Sequence, residues 1–160
     1  MPEAILMKSS LQDTYAPHGA CFGCGPKNLK GLRLKSYPAG DVVKADWTPR
    51  PEHIAFGNIG NGGIISVLMD CHGNWTAAYS LMKSRGLRSP PGTVTAEYSV
   101  RFLRPSPIER EWKLSARTLK LEGDRATVSG ELRVDGKVTA SMTGTFVAVH
   151  RGHPAYYRWH

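Results

Sequence analysis

The carboxylate best placed to do chemistry is Asp70. Its neighbours Leu68, Met69 and Cys71 belong to an apolar run from Ile64 to Met82. An unpaired charge is costly in such surroundings, and carboxylates held there commonly act as bases or nucleophiles. Ser66 and Asn74 flank Asp70 at four-residue spacing, so on a helix the three share one narrow polar stripe. Ahead of the run stand Asn61, Gly62 and Gly63. The first backbone N–H groups of a helix have no internal partner, and the helix dipole adds partial positive charge there. Glycine leaves room for a carbonyl oxygen to approach those groups, and Asn61 suits the N-cap. The chemistry these residues suit is attack on a carbonyl whose oxygen is held by Gly62 and Gly63 N–H. Gly62 and Asp70 are eight residues apart, or about 12 Å along a helix. One reacting carbonyl cannot lie within ~3 Å of both in the same chain. Either only one of the two is catalytic, or Gly62 comes from one subunit and Asp70 from another.

The other reactive residues are weaker candidates. His72 lies two residues past Asp70, on another helix face, and reads as a core or interface histidine. Cys21 and Cys24 form a Cys-x-x-Cys, but structural zinc takes four ligands and only His18 is a nearby third in the sequence. No metal or cofactor is therefore expected. Three cysteines do not make a disulfide framework. The formal net charge of +8 is compatible with nucleic acid, anionic membranes or small anionic ligands. That charge is spread along the chain, and Tyr156–His160 reads as a surface or partner-packing tail, so neither nucleic acid nor membrane is expected as a partner. No apolar run reaches the ~18–20 residues of a bilayer span. Met1 to Asp13 lacks the pattern of a secretory signal, which predicts a cytoplasmic location.

The elements that must position these groups can be read from spacing. Residues 1–30 are punctuated by Pro17, Gly19, Gly23, Gly25 and Pro26 and read as a loop segment. Gly31–Tyr37 and Asp41–Trp47 read as strands, and residues 49–63 as a glycine-rich loop. Gly62 to Lys83 reads as one long helix, apolar on nearly every face and so largely buried. Four strands follow: Thr93–Leu103, Glu111–Leu121, Arg125–Val134 and Lys137–Val149. Asp135-Gly136 marks a hairpin, and residues 150–160 form the tail. A single apolar helix needs a broad hydrophobic surface, which predicts an α+β domain over residues 1–160: a curved antiparallel sheet wrapped around one central helix. The uncovered edge and face of such a sheet predict pairing with a second copy.

Particular stretches resemble the hotdog-fold thioesterases of the phenylacetic-acid-pathway type. They are His53-Ile54-Ala55-Phe56-Gly57-Asn58-Ile59-Gly60-Asn61-Gly62-Gly63, Asp70, Val94-Thr95-Ala96-Glu97-Tyr98, and Phe102-Leu103-Arg104-Pro105. The opening Cys21-Phe22-Gly23-Cys24-Gly25-Pro26-Lys27-Asn28, running to Gly31-Leu32, is also similar to that superfamily. The resemblance covers about Cys21 to Val149. It implies a hotdog fold and an acyl-CoA thioesterase working at the interface of a homodimer or a dimer of dimers. Gly62 and Gly63 would supply the oxyanion N–H groups, and Asp70 of the partner subunit would be the base or nucleophile. Asn61 and Thr95 would support them. Asn58, Ser66, Asn74 and Arg104 would contact the substrate, with Arg101 and Lys83 further candidates for the phosphates of coenzyme A. The chain departs from the family at Asn61, where histidine is usual, and at Ile54 and Ala55, near the place of a frequent carboxamide. Two alternatives follow: an acyl-CoA-binding protein without turnover, and an enoyl-CoA hydratase or dehydratase using His53 or His72.

Overall fold

The computed structural model describes residues 8–160; of the N-terminal segment read as a loop, residues 1–7 lie outside the described residues. A short helix α1 (Leu11–Tyr15) comes first, followed by β1 (Tyr37–Ala39) and β2 (Val42–Trp47). A single 3-10 turn, Pro51–His53, leads into a small ribbon of β3 (Ile54–Phe56) and β4 (Ile59–Gly60). The long helix α2 (Gly62–Ser84) is followed by β5 (Thr93–Phe102), β6 (Trp112–Glu122), β7 (Arg125–Val134) and β8 (Lys137–Ala148). The six-stranded sheet has the order β1-β2-β6-β7-β8-β5, with every neighbouring pair antiparallel.

The strand alternation decides which face meets α2. On β7, Ala126, Val128, Leu132 and Val134 are buried; on β8, Ala140, Met142, Phe146 and Ala148 are. Period-two burial of this kind puts one face of the sheet against a partner layer, and α2 is that layer. Leu68, Met69, Trp75, Ala77 and Leu81 are each within 1% of full burial, and each large side chain so buried contributes about 1.5–3 kcal/mol. The helix can lie this close because position 73 is glycine: a Cβ there would stand 2.7 Å from both Met142 Cε and Phe146 Cζ. At the hairpin, Asp135 (φ 50°) and Gly136 (φ 77°) take the left-handed conformations that a two-residue turn between β7 and β8 needs. This is the α+β hotdog architecture, a curved antiparallel sheet around one long central helix.

Four expectations need correction. The stretch read as a glycine-rich loop over residues 49–63 holds the 3-10 turn and the β3–β4 ribbon, paired from Ile54 to Gly60 and from Phe56 to Ile59. The strand read over Gly31–Tyr37 is mostly irregular; only its last residue enters β1. Arg33 has φ 54°, and the segment's backbone bonds the cysteine loop instead of a strand, from Leu32 N–H to Phe22 O (2.8 Å) and Leu34 N–H to Gly23 O (3.0 Å). Leu32 and Leu34 are both buried, so an apolar alternation here marks a loop packed onto the core. The segment before Gly31 is not all loop, because Ser10 caps α1 by accepting the Asp13 N–H (3.0 Å). The tail also folds back. Trp159 stacks on Trp75 with ring centroids 4.4 Å apart and donates its indole N–H to Pro91 O at 2.8 Å.

Candidate active site

Asn61 begins the site. Its backbone is extended (φ −68°, ψ 131°), and its side-chain oxygen accepts the Ile64 N–H at 3.2 Å. It is therefore the N-cap of α2, a role worth about 1 kcal/mol. Its own N–H donates to His53 O (2.8 Å), and Gly60 N–H to Ser106 O (2.8 Å), so the entry to the helix is held on both sides. Gly62 and Gly63 are the first two helical residues. Neither N–H has an intrahelical acceptor at that position. A Cβ on Gly62 would sit 3.4 Å from the Phe102 ring, whereas one on Gly63 would press to 2.9 Å on Asn61 Oδ1. Gly63 thus protects the cap.

Asp70 lies two turns further along α2, half-buried. Its Oδ1 accepts the Thr95 hydroxyl at 2.6 Å. Burial raises the carboxyl above its usual range; the Thr95 hydrogen bond and the Arg158 charge oppose this, while charge on Cys21 adds to it. Thr95 reaches Asp70 from β5, at an edge of the sheet. A bulge between Thr95 and Glu97 resets the alternation: Thr95 pairs with Phe146 and Tyr98 with Gly144. Those partners are two residues apart on β8, so Thr95 and Tyr98 face the same way. Asp70 in turn raises Tyr98, after burial as the main cause.

The remaining candidates divide. Asn58 and Arg104 are exposed: Asn58 O accepts the Ile108 N–H at 2.8 Å, and Arg104 Nη1 donates to Val138 O at 2.9 Å. Ser66 donates its hydroxyl to Gly62 O (2.9 Å) within the helix. Asn74 is buried and engaged in both directions by Thr93, accepting its hydroxyl at 2.5 Å and donating to its carbonyl at 3.3 Å. Ser66, Asp70 and Asn74 share a stripe, but Asn74 spends its amide on β5. His72 is fully buried between Ser36 Oγ (2.8 Å) and Val43 O (2.9 Å), and burial pushes it down to about 4. His53 accepts the Arg50 N–H on Nδ1 (2.9 Å) and packs on Trp47. Both histidines hold the fold together, which removes the base that a hydratase would take from His72.

Arg158 and Tyr98 were not singled out from the sequence. Arg158 is 88 positions from Asp70, so no local spacing links them. Tyr98 was hidden by the bulge, since strict alternation from Thr95 selects Glu97 instead.

With this geometry in hand, the comparisons with known proteins are decisive about kinship. The thioesterase superfamily profile matches residues 57–141, a stretch running from the loop before α2 into β8. The chain belongs to the thioesterase superfamily. A superfamily protein from Shewanella loihica PV-4 is similar at 27% identity, with TM-score 0.68, over 87% of this chain and 99% of its own. Two others share the fold: a phenylacetic acid degradation-related protein from Ralstonia eutropha JMP134 (21% identity, TM-score 0.60, 73% of this chain and 86% of its own) and the E. coli PaaI protein from the phenylacetic acid degradation operon (14%, 0.63, 74% and 81%). No curated protein matches the sequence. Within the superfamily match lie Asn61, Gly62, Gly63, Asp70 and Thr95.

Proposed function

We propose that this protein is an acyl-CoA thioesterase whose site is shared between two copies of the chain. The observation that carries the reading is Asp70, a half-buried carboxylate on α2 held by the Thr95 hydroxyl. Gly62 N–H, with Gly63 beside it, receives the thioester carbonyl oxygen of one subunit's substrate. The charge that builds on that oxygen is met by two N–H groups at a helix start. Asp70 of the partner then either takes a proton from the attacking water or attacks the carbonyl carbon itself. The thiolate of coenzyme A leaves, and the exposed Asn58 and Arg104 meet the substrate.

Sharing between subunits is supported by two facts. The spacing along α2 separates the half-sites by about 12 Å. The sheet also ends at β5, whose edge has no partner among the described residues, and this edge region exposes Tyr98, Phe102 and Leu103. An uncapped apolar edge invites a second copy. In this reading the protein acts in the cytoplasm as a homodimer or a dimer of dimers.

A hydrolysis screen across short, long and aromatic acyl-CoAs, read by thiol release, tests the function. Turnover of at least one class supports it; binding of acyl-CoA with no turnover of any class would replace it with a binding protein.

Thr95 is a positioning residue. Thr95→Val removes a hydrogen bond to a charged group, worth about 1.5–3 kcal/mol, and kcat should fall about tenfold or more while KM holds. Thr95→Ser keeps the hydroxyl and should stay within about threefold of the parent, a difference below 1 kcal/mol. Equal losses in both variants would mean that the hydroxyl does not act on Asp70.

A further inference from the structure

The fold gathers the three cysteines at one place. Cys21 and Cys24 come from the N-terminal loop and Cys71 from α2, next to Asp70. All three are free thiols, and their sulfur atoms lie within 4.8 Å of one another. The Cys21 and Cys71 Sγ atoms are 3.7 Å apart. A tetrahedral zinc ion with Zn–S bonds of about 2.3 Å separates its sulfur ligands by about 3.8 Å. We propose that Cys21, Cys24 and Cys71 form a three-thiolate site for Zn²⁺, with the fourth coordination position open to the adjoining cavity.

The loop is built for this approach. A Cβ on Gly23 would lie 2.3 Å from Cys71 Sγ, so only glycine lets the Cys-x-x-Cys turn settle on the helix thiol. Gly25 N–H closes the turn on Cys21 O at 2.8 Å. Trp75 is a second, independent pointer. Its indole Nε1 is buried with no hydrogen-bond partner among the described residues, and Trp75 lines the same cavity as Cys21 and Cys24.

A divalent, thiophilic ion binds such a cluster by displacing the thiol protons. Three thiolates and Zn²⁺ carry a net charge of −1, and Arg158 lines the same cavity of about 270 Å³ beside Cys21 and Cys24. That cavity gives water access to the fourth position. The sequence lacked a third ligand only because Cys71 is 47 residues from Cys24.

The site is tested on the full-length reduced protein, stripped with a chelator and titrated with Co²⁺ alone. One equivalent per chain should bind with intense thiolate-to-cobalt charge-transfer absorption, and one equivalent of Zn²⁺ should bleach it. Cys21→Ser, at the half-buried position, should weaken binding by more than the ~10–100-fold that loss of a supporting group costs. Cys24→Ser should do the same, and the unchanged thermal unfolding of either apo variant would confirm that it folds. Absence of the charge-transfer band overturns the site, as does a titration unchanged in both variants. Recovery of the protein from cells with a Cys21–Cys71 disulfide and no zinc also overturns it. None of these readouts depends on hydrolysis at Asp70.

Discussion

Replacing Asp70 by Asn should lower acyl-CoA hydrolysis by about 10²–10⁴-fold, the range spanned by loss of a positioned base. The substitution keeps the shape of the side chain, and the amide oxygen can still accept the Thr95 hydroxyl that now meets Oδ1 at 2.6 Å. What disappears is the charge. Because burial already raises the Asp70 carboxyl, removing the charge costs the folded state nothing, and thermal unfolding should stay level or rise. Thiol-release kinetics, unfolding and size-exclusion chromatography on the same preparation check all three statements. Hydrolysis at the wild-type rate would remove Asp70 from the chemistry.

Gly62→Pro should lower kcat by about 10²–10³-fold, as removal of one oxyanion donor does elsewhere. Proline at this position is a selective tool. Gly62 is the first residue of α2, where proline's fixed φ suits a helix and its missing N–H breaks no helical hydrogen bond. Proline also demands an extended residue before it, and Asn61 already has ψ 131°. The new ring would find ordinary contact with Phe102, 3.4 Å from the Cβ position. Fold and dimer should survive while the donor is lost. A kcat within about threefold of the parent, less than 1 kcal/mol of barrier, would show that Gly62 N–H does not bind the developing oxyanion.

The parts of this molecule that could be read in the sequence are those with a local period. The α2 span ends one residue from its predicted limit, and β5 to β8 fall within a residue or two of theirs, because alternation and turn residues such as Asp135-Gly136 act over short distances. The Gly31–Tyr37 segment failed for the same reason: Leu32 and Leu34 alternate as a strand would, yet they bury against the core from a loop tied to Phe22 and Gly23. The pairing of Asp70 with Thr95 was legible through the superfamily resemblance. Arg158, Tyr98 and the meeting of Cys71 with Cys21 were not, since each depends on chain segments brought together by the tail, the bulge or the N-terminal loop. Asn74 has a partner that local spacing did not reveal. Its place on the polar stripe suggested substrate contact, while Thr93 takes up its amide from across the helix–sheet seam.

The shared site is tested most directly by mixing the two inactive variants. In a dimer pairing Asp70→Asn with Gly62→Pro, one site carries both defects and the other carries neither. Co-expressed in equal amounts with different affinity tags, random assortment makes half the dimers mixed, so activity should return to about a quarter of wild type. Doubly purified mixed dimers should reach about half. Mixed dimers isolated through both tags that show no activity above either parent would contradict a site built from Gly62 of one subunit and Asp70 of the other.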